Sequence, residues 1–221
     1  MNRILSVLPE SILSISKLEK VTVAAGHTIT PHDYVYFPES GAITLTAPDL
    51  NLIGAVIGAE GAFNALNAFE PDIEDDIAVC HVETKLTAIP SAIVTELVDQ
   101  LPDFRAAIVA AHTTACREVK QTLLCNTCHP AAGRLARWLS RFSDCCDGPL
   151  PLTQQQLSEM LGLSRPSVAQ LYGNLSGLIS ATRGQINILD KVGLQGRACQ
   201  CYVRETLAPH LSPPTVPALT S

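Results

Sequence analysis

Between Leu152 and Ile179 the chain reads LTQQQLSEMLGLSRPSVAQLYGNLSGLI, and its polar residues Arg165, Ser167 and Gln170 have side chains suited to one kind of chemistry. An arginine offers two parallel N–H donors that fit the O6 and N7 acceptors of guanine, and a glutamine matches N6 and N7 of adenine in the same two-point way. Cysteine and histidine supply the other reactive spacings. Cys125-Asn-Thr-Cys128-His129 has the CxxCH spacing of c-type haem attachment and could contribute to a metal site, Cys80 stands beside His81, and Cys145-Cys146 and Cys199-x-Cys201 are further thiol pairs. Adjacent strand residues point to opposite faces, so Cys80 and His81 do not easily reach one ion, and a buried cysteine beside an exposed histidine is expected. No nucleophile–base set and no phosphate loop occurs, so the chain does not read as an enzyme.

The elements that must hold Arg165, Ser167 and Gln170 are legible around them. Thr153 followed by Gln156 is a capping box, so a helix begins there, with Leu157, Met160 and Leu161 on its apolar face. Gly162 permits a sharp turn at positive φ, and Ser164 caps a second helix. Pro166 falls in that helix's first turn, where its missing N–H breaks no bond, and Val168, Leu171 and Leu175 turn inward. Two short helices joined through a glycine turn form a helix-turn-helix, whose second helix enters the major groove. The free N–H groups at Thr153 and Ser164 are phosphate anchors. The segment Leu178–Leu189 reads as a hairpin turning at Gly184, a wing that carries Arg183 to a phosphate.

The remainder divides by period. From Val21 to Pro90 short β-type runs (VTVAAGHTIT, YVYF, GAITLTA, LIGAVIG, DIAVCHVETKLTAI) are broken by turn residues, as in a small barrel or jelly roll, with a short helix and loop from Glu60 to Asp76. From Pro102 to Asn126 the pattern becomes helical. Phe104, Ile108, Ala111, Ala115 and Val119 form a stripe rich in small residues, read as the seam of a helix pair between two copies, with packing on its own barrel as the alternative. From His129 come AAGRLARWLSRFSD as a helix, a turn at CDGPLP, the helix-turn-helix and the wing. The uncharged, proline-rich APHLSPPTVPALTS is a mobile tail.

Of 221 residues, 47% are hydrophobic and 16% charged, which excludes low-complexity disorder over most of the length. No apolar run is long enough to span a membrane, and the N-terminus lacks the parts of a secretory signal. Eight cysteines without such a signal point to the reducing cytoplasm. The net charge of −6 is uneven: residues 1–128 hold 7 Lys/Arg against 16 Asp/Glu, whereas residues 129–221 hold 8 against 5. A basic half is what a polyanion-binding domain would show.

The stretch Leu152–Ile179 followed by a hairpin resembles the CRP/FNR superfamily of bacterial transcription regulators, whose winged helix-turn-helix has the form LTxxxLAxxLGxSRxxVxxxLxxLxxxGLI. QTLLCNTCHPAAGRLARWLSRF looks like that family's junction between dimer helix and DNA domain, and YVYFPESGAITLT looks like a barrel hairpin, so the likeness spans about Val21 to Tyr202. It implies an α+β architecture: a cyclic-nucleotide-binding-like jelly roll at 1–100, a dimerisation helix at 101–128, a winged helix-turn-helix at 129–205 and a tail at 206–221. It also implies a homodimer on double-stranded DNA with a pseudo-palindromic operator. Arg165, Ser167 and Gln170 would read bases, Thr153 and Gln155 would lie near the backbone, and RNA polymerase would be a partner of an activator. Pro166 stands where many members carry a base-reading Glu.

In members that bind cyclic AMP, a turn supplies a Glu for the ribose and, about ten residues later, an Arg for the phosphate. Here Ala62 follows Gly61, Glu74, Asp75 and Asp76 occupy the Arg region, and Glu60 reads as a loop carboxylate. Three carboxylates repel a phosphate, so cyclic-nucleotide dependence is not expected. No Cys precedes Cys80, which removes the N-terminal iron–sulfur sensor of FNR-type members. No cofactor and no metal is expected. The alternative is a haem, metal or redox sensor using Cys125/Cys128/His129 or Cys80/His81.

Overall fold

The computed structural model describes residues 1–13, 18–29, 33–46, 52–70 and 77–207, with side chains to residue 203. Among the described residues, a 3-10 turn at Leu5–Val7 and a short helix α1 (Glu10–Leu13) precede seven strands: β1 (Glu19–Val23), β2 (His27–Ile29), β3 (Tyr34–Ser40), β4 (Ile43–Thr46), β5 (Ile53–Ile57), β6 (Ile77–Cys80) and β7 (Thr84–Pro90). Of the 60–76 segment, residues 60–70 are described and hold a 3-10 turn at Ala65–Ala68. The strands form two sheets, ordered β1-β7-β3 and β2-β6-β4-β5, and every pairing is antiparallel.

The stretch YVYFPESGAITLT is therefore not a hairpin. β3 pairs with β7, β4 pairs with β5 and β6, and the chain changes sheets at Gly41. Only glycine serves there: φ is +79°, and a Cβ would meet the Glu83 carbonyl oxygen at 2.4 Å. Thr84 seals the crossover, its hydroxyl lying 3.2 Å from Ala42 N and 3.1 Å from Ala42 O. Alternation along the strands buries Ile43, Cys80 and Leu86 in one cluster and Val35, Phe37 and Ile89 in another.

Helix α2 (Ser91–Gln100) leads into α3 (Pro102–Cys128), which opens on a proline in its first turn. The expected seam on α3 requires correction at Phe104 and Ile108. Phe104 and Ile108 are wholly buried, packed with Ile4, Leu5, Leu8 and Phe37 of their own domain, and Ala111 packs on the same cluster. Farther along, Val119 lies over Gly54 of β5. Phe104 and Ile108 thus complete the barrel core, whereas Val119 remains 43% exposed, so the first half of the stripe is occupied within its own chain. Ala115, in the middle of the stripe, is half-buried beside a cleft described below.

After α3 come α4 (Ala131–Cys145), α5 (Gln154–Leu161), α6 (Arg165–Asn174), β8 (Ile179–Thr182), β9 (Gln185–Ile188), α7 (Lys191–Arg197) and α8 (Gln200–Leu207). Trp138, Leu139 and Phe142 of α4 anchor the C-terminal core together with Leu157, Val168 and Ile186. Burying each such side chain is worth about 1.5–3 kcal/mol. That core also takes in Ala42, Ile53, Val56 and Val82 of the barrel, so the two regions share one apolar interior. Residues 206 and 207 end α8, and the rest of the expected tail, 208–221, lies outside the described residues.

Cys80 and His81 face different interiors. Cys80 lies in the barrel core, whereas His81 stands edge-on to Phe142 with ring centroids 5.9 Å apart. His81 is buried rather than exposed, because α4 closes over it. Neither ring nitrogen has a hydrogen-bond partner among the described residues, and burial pushes its pKa down to about 4, only partly offset by Glu159.

Candidate nucleic-acid interface

Local chemistry fixes the helix-turn-helix. Thr153 Oγ1 accepts from Gln156 N at 3.2 Å, and Gln156 Oε1 accepts from Thr153 N at 2.9 Å, completing the capping box. Gly162 closes α5 at φ +63°, in the left-handed region that a turn between two tightly packed helices demands. Ser164 caps α6 through Ser167 N at 3.3 Å, and its hydroxyl also contacts Ser167 Oγ at 2.8 Å. Ser167 is half-buried and tied to the cap, whereas Arg165 and Gln170 are exposed.

The wing returns at Gly184 with Arg183 exposed at its turn, and Leu150 bridges to Ile186 to hold the wing against the linker before α5. These pieces enclose a cleft of about 600 Å³ lined by Thr153, Gln155, Arg165, Tyr172, Thr182 and Arg183 among others. Four of the residues singled out from sequence thus share one concavity. Arg165 Nε donates to Gln155 Oε1, and Gln155 in turn donates to Glu159. That contact uses the Nε side of the guanidinium, so the two outer nitrogens remain as a fork for a ligand.

The basic residues of α4 have a different use. Arg134 is 8% exposed and caps α5 through the Leu161 carbonyl at 3.1 Å. Arg137 is wholly buried, bonded to Thr122 Oγ1 at 2.8 Å and stacked 4.1 Å from the Trp138 ring. Arg141 reaches Val56 O at 3.1 Å and both Glu60 and Glu118 at 3.5 Å. Glu60 also accepts from Gly58 N at 3.3 Å, so this loop carboxylate is paired across to α4. Glu74, Asp75 and Asp76 lie outside the described residues.

A second cleft, about 880 Å³, opens between Ile57–Gly61, α3 at Ala111 and Ala115, and Arg141. Burial pushes the Cys80 and Cys146 thiols up and Cys145 to about 12, so none supplies a thiolate near neutral pH. Sequence reading missed α7 and α8. The Asp190 cap on Gly193 N at 2.9 Å was the available signal for α7. It also left Cys125 and His129 apart from Cys199 and Cys201, which the fold brings together, whereas Cys128 is exposed and lies outside that group. No described helix is long and apolar enough to cross a membrane.

Residues 133–197 match the Crp-like helix-turn-helix domain. No curated protein matches the chain. Among solved structures, a CRP/FNR-family transcriptional regulator from Thermus thermophilus is similar with a TM-score of 0.63 at 21% identity, covering 81% of this chain and 98% of that one. FixK2 from Bradyrhizobium japonicum is similar at 0.63 and 16% identity, covering 82% and 98%. A crp/fnr-family regulator described from Eubacterium rectale gives 0.64 at 17% identity, covering 88% and 97%. At these identities the likeness establishes the fold, and the matches are to transcriptional regulators, not enzymes.

Proposed function

From a Crp-like helix-turn-helix domain carried on a CRP/FNR-type fold, we propose that this DNA-binding transcription regulator acts as a homodimer on a pseudo-palindromic site without needing a cyclic nucleotide. The observation that supports the reading best is the cleft shared by Thr153, Gln155, Arg165 and Arg183, between the capped start of α5, the start of α6 and the wing. Helix α6 enters the major groove, Arg165 and Gln170 address base edges, and Thr153, Gln155, Ser164 and Arg183 hold the backbone. Ser167 contributes through the cap it shares with Ser164. Selection from a random duplex library tests this. Two half-sites related by two-fold symmetry, with centres about one turn (~34 Å) apart, are expected, and an asymmetric single site would refute it.

Arg183→Ala should weaken binding to cognate and unrelated duplexes by the same factor. It should also flatten the dependence of log affinity on log salt by about one contact, near 0.9 in slope. A loss confined to the cognate sequence would place Arg183 on a base instead. Fluorescence anisotropy over a salt series reads both.

The dimer contact lies on the side of α3 turned away from the barrel. Val109, Thr113, Cys116, Lys120, Leu123 and Thr127 follow alternating steps of four and three, and Val109 and Leu123 are 48% and 68% exposed. Leu123→Glu places like charges face to face in a parallel pair. At micromolar concentration it should shift the light-scattering mass from two chains to one with the circular dichroism unchanged. A dimer that persists undiminished would rule this seam out. Independence from cyclic nucleotides is supported by Glu60, whose carboxylate is engaged with Gly58 N and Arg141.

A further inference from the structure

Four metal-binding side chains meet where α3, α4 and α8 adjoin. Cys125 stands in the last turn of α3, and His129 follows four residues later, where the helix ends. Cys199 and Cys201 flank the start of α8. One ligand atom from each lies within 4.8 Å of all the others. Cys125 Sγ is 3.4 Å from Cys199 Sγ, and Cys201 Sγ is 3.3 Å from His129 Nδ1. We propose that Cys125, His129, Cys199 and Cys201 form a site for a single zinc-class divalent ion.

The dimensions select this reading. A tetrahedron with arms of about 2.0–2.3 Å has edges of roughly 3.3–3.8 Å, which is the scale of the two closest contacts. An iron–sulfur cage interposes several irons and sulfides between its thiolates and needs more room than this group offers. A disulfide between Cys125 and Cys199 would use two of the donors and leave the approach of Cys201 to His129 without purpose. Three thiolates and an imidazole are a soft set that selects zinc over oxygen-seeking cations.

The surroundings suit such a centre. Three thiolates, a neutral imidazole and a divalent ion carry one net negative charge, and the buried Arg137 lies near enough to Cys125 and Cys199 to balance it. Gln121 Nε2 donates to Cys201 Sγ at 3.0 Å, the kind of outer hydrogen bond that orients a thiolate ligand. Cys199 N donates to Gly133 O at 3.2 Å, fixing the loop before α8 on α4. Cys125 and Cys201 are buried while His129 and Cys199 are half-buried, so the group is enclosed yet reachable. An ion here would pin α8 to the end of α3 across 74 residues of sequence.

The test uses the full chain, reduced and reconstituted under anaerobic conditions with zinc or cobalt(II) alone. About one zinc per chain is expected by mass spectrometry. The cobalt form should show thiolate charge-transfer bands and the strong visible bands of a tetrahedral site. Cys199→Ser and Cys201→Ser should lower zinc affinity at least ~10-fold, whereas Cys128→Ser, one residue from His129 but outside the group, should keep it. A reduced wild-type chain that takes up no metal overturns the proposal. So do cobalt spectra of an octahedral site, equal loss in Cys128→Ser, undiminished binding in the Cys199 and Cys201 variants, or a native Cys125–Cys199 disulfide in a metal-free chain. Should a serine variant fail to fold, the wild-type cobalt spectrum decides alone. DNA binding is measured separately, so a failure of the metal site leaves the interface reading standing.

Discussion

Replacing Arg165 by alanine is expected to cost about 1–3 kcal/mol of affinity at the cognate site, roughly 5- to 150-fold, and to relax preference at one base position in each half-site. The guanidinium sits at the first turn of α6, held from the side by Gln155, and Arg165 lines the cleft. That support reduces the side-chain freedom lost on binding, which makes the fork more discriminating than an unsupported arginine. Arg165→Lys sharpens the test. It retains the positive charge and therefore the salt slope, but a single ammonium cannot make the parallel pair, so base preference should fall almost as far as in the alanine variant. Anisotropy titrations on the cognate duplex and on all substitutions at each position provide the measurement. Unchanged preference in both variants would remove α6 as the reading element.

Arg141→Ala is expected to lower stability by about 3–5 kcal/mol, or on the order of 10 °C in the thermal midpoint. Its side chain is 12% exposed and joins α4 to the barrel at Val56 and Glu60 and to α3 at Glu118, whose side chain is only 6% exposed. Burial raises the Glu118 pKa while Arg141, then Arg137, draw it down, so deleting Arg141 leaves a buried carboxylate short of positive charge. The pH dependence has a definite sign. A carboxyl whose folded pKa is raised binds a proton more readily folded than unfolded, so folding stability grows as pH falls through that range. The deficit of Arg141→Ala should therefore shrink on acidification. Arg141→Met with Glu118→Leu removes both charges at similar volume and should recover most of the loss. Denaturant melts at several pH values check each arm. A single variant within about 1 kcal/mol of the parent would show that the cluster holds little.

The features legible in sequence were those set by near neighbours. The capping box at Thr153, the positive φ of Gly162, the Ser164 cap and the wing turn at Gly184 depend on contacts within a few residues, and the chain states them directly. What depended on distant partners was not legible. Strand periodicity gives β3 and β4 but not which sheet each joins, because a change of sheet at Gly41 and a hairpin turn leave the same residue pattern. The stripe on α3 gave the buried start at Phe104 and Ile108 but not what buries it. Charge by halves also misled in part: Arg134, Arg137 and Arg141 are structural ties, so the basic excess of the C-terminal half is smaller on its surface than in its composition. The four-donor group went unseen because its members come from opposite ends of the C-terminal region.

The rooting of α3 in the barrel has a mechanical consequence. Phe104 and Ile108 bury one end of a rod that is seated again at Val119 on Gly54 of β5 and runs eight residues farther to Thr127, about 12 Å at ~1.5 Å per residue. A tilt of ~5° about that second contact carries the far end through about 1 Å, since displacement scales with rod length. The cleft of about 880 Å³ opens against Ala111 and Ala115, between the two contacts. At the other end the rod bears on α4 and α8 through Thr122, Cys125 and Gln121. A change in cleft filling would thus reach the base of the helix-turn-helix region through α3 as a small rigid shift, with no need to unfold anything between.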